Sequence, residues 1–102
     1  MSEHAVIVKF DYGTTDLDPL FELEDQIESL LEDGTHGEYD GHEIAVDGSD
    51  GLLYLYGPDA DGLYNAIKPT LLASSAIKNV VATLRYGPPG EGVREVVVRV
   101  AA

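Results

Sequence analysis

The residues best suited by type to chemistry stand around position 40. Asp40 and His42 are two apart, so on a strand their side chains share a face, Glu38 has the same parity, and His36 lies just before. Carboxylates and imidazoles can bind zinc or manganese, or exchange a proton. Read as chemistry, the group predicts a small dimeric enzyme using His42 with Asp40 or His36. Read as structure, His42 is a half-buried sheet residue paired with a carboxylate. The spacing selects no particular metal, and the parity holds only if Thr35 to Gly41 is extended rather than looped.

Other candidate motifs resolve into turns and caps. Asp47-Gly48-Ser49-Asp50-Gly51 has the composition of a calcium loop, but its twelfth position is Pro58 instead of a bidentate Glu. It reads as a tight turn between strands. Gly57 to Gly62 opens a helix, whose free amides could take an anion; Asp59 and Asp61 are placed to occupy that position as caps. Gly87-Pro88-Pro89-Gly90-Glu91-Gly92 lacks the Lys and the Ser or Thr of a phosphate loop and reads as a rigid hairpin connection. There is no cysteine, and none of the serines lies in a nucleophile-elbow sequence. These readings assign no metal and no cofactor.

Charge carries more information than any motif. From Phe10 through Ile67 there is no Lys or Arg, yet this stretch holds all but Glu3, Glu91 and Glu95 of the 19 acidic residues. The basic residues are Lys9, Lys68, Lys78, Arg85, Arg94 and Arg99, and the net charge is -13. Such a field attracts cations and basic protein surfaces and repels phosphate backbones. Solubility, a salt-rich cytoplasm and a dedicated recognition face each account for acidity of this kind. The sequence is 44% apolar, enough for a core. Its 102 residues read as one acidic α/β domain, residues 1–102. No basic region precedes an apolar run at the N-terminus, and no run has membrane-spanning length, so a cytoplasmic protein is expected.

The elements that must position these residues follow from periodicity. Residues 5–11 alternate as a strand. Asp18 and Pro19 start a helix, as N-cap and first helical residue, and Leu20, Leu23, Ile27, Leu30 and Leu31 carry it to Gly34. Residues 38–47 form a strand, Gly48 to Gly51 a hairpin turn, and Leu52 to Tyr56 the next strand. A second helix follows Asp59, with a kink or restart at Pro69. Residues 80–86 and 93–100 are the last strands. The order β-α-β-β-α-β-β predicts an α+β, ferredoxin-like split β-α-β sandwich with an antiparallel sheet and an extra C-terminal edge strand. Its helix-facing set is Val6, Val8, Phe10, Ile44, Val46, Leu53, Leu55, Ala82, Leu84, Val96, Val98 and Val100.

The opposite face would collect Ile7, Leu52, Tyr54, Tyr56, Val81 and Val97 together with Lys9, Arg85 and Arg99. That mixture predicts a contact surface, with Lys9, Tyr54, Tyr56 and Arg85 as its anchors and a homodimer as one outcome. Tyr54 and Tyr56 could also stack bases, but the net charge and the lack of a basic, Gly and aromatic run disfavour nucleic acid. On the first helix and beyond it, Glu22, Asp25, Glu28, Glu32, Asp33 and Asp40 form the strongest acidic feature. These observations predict a non-catalytic protein-binding module, an acidic inhibitor or immunity-type protein for a basic partner. The alternatives are the His42 enzyme and a domain whose acidity is only salt or solubility adaptation.

Overall fold

Alternation in β1 (His4–Asp11) sends Val6, Val8 and Phe10 to one side, and all three are buried. The computed structural model describes residues 3–90 and 92–100; Glu91 of the predicted Pro88–Gly92 connection lies outside them. After β1 come α1 (Asp18–Leu30), β2 (Glu38–Ile44), β3 (Asp50–Gly57), α2 (Ala60–Ala73), β4 (Lys78–Arg85) and β5 (Glu95–Arg99). The strands form one antiparallel sheet in the order β2-β3-β1-β4-β5. The architecture is α+β, with the core between the sheet and two helices. β5 pairs with β4 and forms an edge.

The core joins Val6, Val8, Phe10, Leu53, Leu55, Ala82 and Leu84 of the sheet to Leu20, Leu23 and Ile27 of α1 and Leu63, Ile67 and Leu71 of α2. Fully burying such a side chain is worth about 1.5–3 kcal/mol before chain entropy is counted. Val98, Val100 and Ile44 are partly buried against this cluster. Val46 is not part of it: its relative exposure is 101%. β2 ends three residues before its predicted end because the Gly48 amide bonds the Ala45 carbonyl and the Ser49 amide bonds the Asp47 side chain, closing the turn early.

Each helix start is held by a local carboxylate and by a side chain of the first strand or the loop after it. Leu17, not Asp18, is the N-cap residue of α1, and it offers no side-chain cap. The Asp18 amide donates to the Asp16 carboxylate at 3.1 Å. The Leu20 amide donates to the Tyr12 hydroxyl at 3.2 Å, and that hydroxyl donates to the Asp16 carbonyl. With Pro19 lacking an N–H, the first-turn donors are accounted for. At α2, Asp59 accepts from the Asp61 amide, and His4 Nδ1 accepts from the Ala60 amide at 3.0 Å.

α1 stops at Leu30, and Gly34 closes the following turn at φ +75 with its amide on the Leu31 carbonyl. α2 runs unbroken from Ala60 to Ala73 and does not restart at Pro69. The carbonyl left without its helical donor belongs to Asn65, an exposed position where water can serve it.

Two glycines in the α1–β2 connection meet different constraints. At Gly34 an added Cβ meets open space. At Gly37, φ +135, it would overlap the Tyr56 carbonyl oxygen. Gly34→Ala should cost roughly 1 kcal/mol of backbone strain, and Gly37→Ala at least twice that, because β2 and β3 must separate there. Urea unfolding of the two variants checks the order; equal losses would show that Gly37 is not a close-packing position.

Candidate functional site

α1 and β2 meet at one side of the molecule, and the sequence-predicted acidic residues lie on these two elements and in the turn between them. Glu22, Asp25 and Glu28 are exposed on α1, Glu32 and Asp33 in the turn beyond it, and Asp40 on β2. Asp33 accepts the Thr35 amide at 2.9 Å, which holds its carboxyl below the usual range. Phe21, 45% exposed, stands on α1 among these charges. Among the described residues no Lys or Arg lies within ion-pairing distance of any carboxylate; the one such contact is His42 Nδ1 to Glu24 Oε1, 2.7 Å. The acidic charges are therefore uncompensated by the protein itself.

His42 lies on β2, but not with the partners expected for it. The register of β2 against β3 runs Tyr39 to Leu55, then Gly41 to Tyr54, so Asp40 is an extra residue, a β-bulge. Gly41, at φ +134, takes the conformation that this requires. The bulge reverses the alternation: Tyr39 and His42 lie opposite Leu55 and Leu53 on the helix side, while Glu38 and Glu43 share rows with Tyr56 and Leu52 on the other face. Asp40 and Glu38 therefore do not form a face with His42, and His36 is an exposed loop residue whose carbonyl packs against Gly57.

What meets His42 is Glu24 of α1, with Tyr39 beside it and the Phe21 ring 6.2 Å from the imidazole. Glu24 lies four residues after Leu20 and three before Ile27, at the margin of the buried stripe. That spacing is the signal by which it could have been found. Burial pushes the Glu24 carboxyl above its usual range, and His42 opposes that shift. Burial, then the Glu24 charge, drives the Tyr39 phenol up. The Tyr39 hydroxyl is buried without a hydrogen bond of good geometry. Together the three groups comprise one acid, one imidazole and one phenol. No cluster of three or more His, Asp or Glu able to hold a metal occurs among the described residues.

The other face of the sheet has three cross-strand rows. They are Glu38, Tyr56, Ala5, Arg85 and Glu95; Gly41, Tyr54, Ile7, Thr83 and Val97; and Glu43, Leu52, Lys9, Val81 and Arg99. Lys9, Tyr54, Tyr56 and Arg85 thus share one face, with Tyr56 and Arg85 flanking the buried Ala5. Burial first, and the Glu43 carboxylate next, raise the Tyr54 phenol. Arg85 Nε donates to the Gly87 carbonyl at 2.7 Å, which orients its guanidinium. A shallow depression at the bulge is lined by Asp40, Gly41, His42, Glu43, Tyr54 and Tyr56.

No protein-family model matches the chain, and no curated protein sequence matches it. No helix among the described residues is long and apolar enough to cross a membrane.

The raised Glu24 carboxyl has a defined consequence for stability. A group whose folded-state pKa lies above its ordinary value, here 4.5, stabilises the fold below that value and loses its contribution as pH rises through the folded-state pKa. The stability of the wild type relative to Glu24→Gln should therefore be greatest below pH 4.5 and decline above it. Urea unfolding of both proteins across pH measures this; a difference independent of pH would show that Glu24 titrates normally.

Proposed function

We propose that this chain is a non-catalytic protein-binding module, an acidic inhibitor or immunity-type protein that pairs with a basic partner. The observation that carries the reading is the exposure of Glu22, Asp25, Glu28, Glu32, Asp33 and Asp40 with no Lys or Arg of the described chain beside them. Carboxylates left unpaired within the chain are available to a partner's Lys and Arg, and their summed field accelerates encounter. Phe21 supplies an apolar contact inside this charged surface. The ferredoxin-like reading of the topology belongs to the same proposal and is supported by the β-α-β-β-α-β order of the first six elements.

A second reading has a specific observation in its favour. The half-buried Glu24, with its carboxyl raised beside an imidazole, is the kind of group that proton-transfer sites use. In that reading the enzyme's acid is Glu24, in place of Asp40 or His36. The structural role is sufficient for the same geometry: the contact ties α1 to β2.

The test is affinity capture with the wild type and with a variant neutralised at the six acidic positions, its fold checked by circular dichroism. A basic protein should be retained stoichiometrically at low salt and released as salt rises, and the neutralised variant should bind it at least about tenfold more weakly. A partner held equally by both proteins would overturn the acidic-face reading.

A further inference from the structure

In a protein of net charge -13, three adjacent rows of the open sheet face carry as many basic as acidic residues. The three rows of the open sheet face carry Glu38, Glu43 and Glu95 against Lys9, Arg85 and Arg99, the latter being three of the six basic residues. Asp11 and Asp50 lie beyond these rows, at the end of the sheet, with Lys78 opposite Asp11, and the bulge residue Asp40 lines the depression beside Tyr54 and Tyr56. Between the charges the face is apolar or aromatic, and Val97 is 67% exposed on it. Two copies of so acidic a chain repel through most surfaces. They can approach through this one, which leaves the acidic α1 surfaces outermost.

The charges are also ordered across the sheet. Glu38 and Glu43 lie on β2 at one edge, whereas Arg85 and Arg99 lie on β4 and β5 at the other. Sheets packed face to face about 10 Å apart keep their strand directions within about 30°. A two-fold axis perpendicular to the strands would lay β2 on β2 and bring four carboxylates together without a cation. An axis parallel to the strands lays β2 over β5 of the second copy. Glu43 then faces Arg99, Leu52 faces Val81, and Ile7 meets its own copy. Tyr56 lies under Arg85, which reaches the neighbouring Glu38. Val97 stands over Gly41, where an added Cβ meets nothing and the space is open. The same arrangement sets Glu38 opposite Glu95 and Lys9 opposite Lys9. Each edge nevertheless mixes both signs.

We propose that a second copy of this chain covers the open sheet face, related by a two-fold axis running along β1, with Glu43 of each copy paired to Arg99 of the other. The contact does not involve α1; of the six acidic positions only Asp40, in the depression beside Tyr54 and Tyr56, borders it, so the acidic-partner reading rests on other residues.

Sedimentation equilibrium tests it. The wild type should show twice the 11.0 kDa mass of the chain, in a concentration-dependent equilibrium. Val97→Asp, at an exposed position, should abolish the dimer with the circular dichroism spectrum unchanged. Glu43→Arg and Arg99→Glu should each raise the dimer dissociation constant about tenfold or more, and the double variant should return it to near the wild-type value. A wild type monomeric at all concentrations overturns the proposal. So does a dimer indifferent to Val97→Asp, or a double variant as weak as the sum of its parts. Loss of a partner on neutralising α1, or its retention, leaves these outcomes unchanged.

Discussion

The two-sided pairing of β1 is the constraint on which the rest of this structure depends. β1 is hydrogen-bonded to β3 on one side and β4 on the other, and Val6, Val8 and Phe10 are buried beneath the helices. A slip of one residue in either register would send Ile7 and Lys9 into the core and the three apolar residues out. That penalty sets which side of β3 and β4 faces inward. It also fixes the set of residues that share the outer face, because Leu52, Lys9 and Val81 must then stand in one row. The partition between a helix-covered core and a mixed, nearly neutral outer face follows from this one strand.

The elements whose positions depend on periodicity alone were legible in the sequence. Alternation in β1 and β3, and the spacing of Leu20, Leu23 and Ile27, name the core directly. What could not be read depends on local backbone geometry or on groups far apart in the chain. The bulge at Asp40 breaks a parity argument that assumes an unbroken strand, and Gly41 alone does not announce it, since Gly also occurs in turns and at close approaches. The local pattern Asp18-Pro19 points to Asp18 as the cap of α1. The protein instead uses the Tyr12 hydroxyl and the Asp16 side chain, a choice that appears only once the loop is folded back. Pro69 predicts a kink or a restart; the helix does not restart, because one missing bond at an exposed carbonyl is cheaper than unpacking Leu71 from the core.

The bulge also decides what the polar residues of β2 can do. Without it, His42 would remain inward opposite Leu53, but Asp40 would join it on that face, where an unpaired carboxylate is costly to bury. With the bulge, Asp40 is exposed, and Tyr39 takes the inward position opposite Leu55. His42 then has one carboxylate, Glu24, held by α1. The pair is half-buried, so its strength as a tether is modest, but its direction is informative. It fixes the side of α1 that meets β2, and so turns Glu22 and Asp25 outward.

Charge and salt act on this molecule with opposite signs in folding and in binding. Residues one helical turn apart have Cβ atoms about 5–6 Å from each other, within the Debye length of about 8 Å at physiological ionic strength. Asp25 and Glu28 therefore repel within the folded chain, and added salt relieves that repulsion. Stabilisation by salt would thus follow from the acidity whatever its purpose, and it does not distinguish salt adaptation from recognition. Association with a basic surface responds in the opposite direction, because the same screening removes the attraction. A recognition face built from these residues works best at ionic strengths where the free protein is least stable, and occupancy by the partner offsets the repulsion that the chain itself leaves uncompensated.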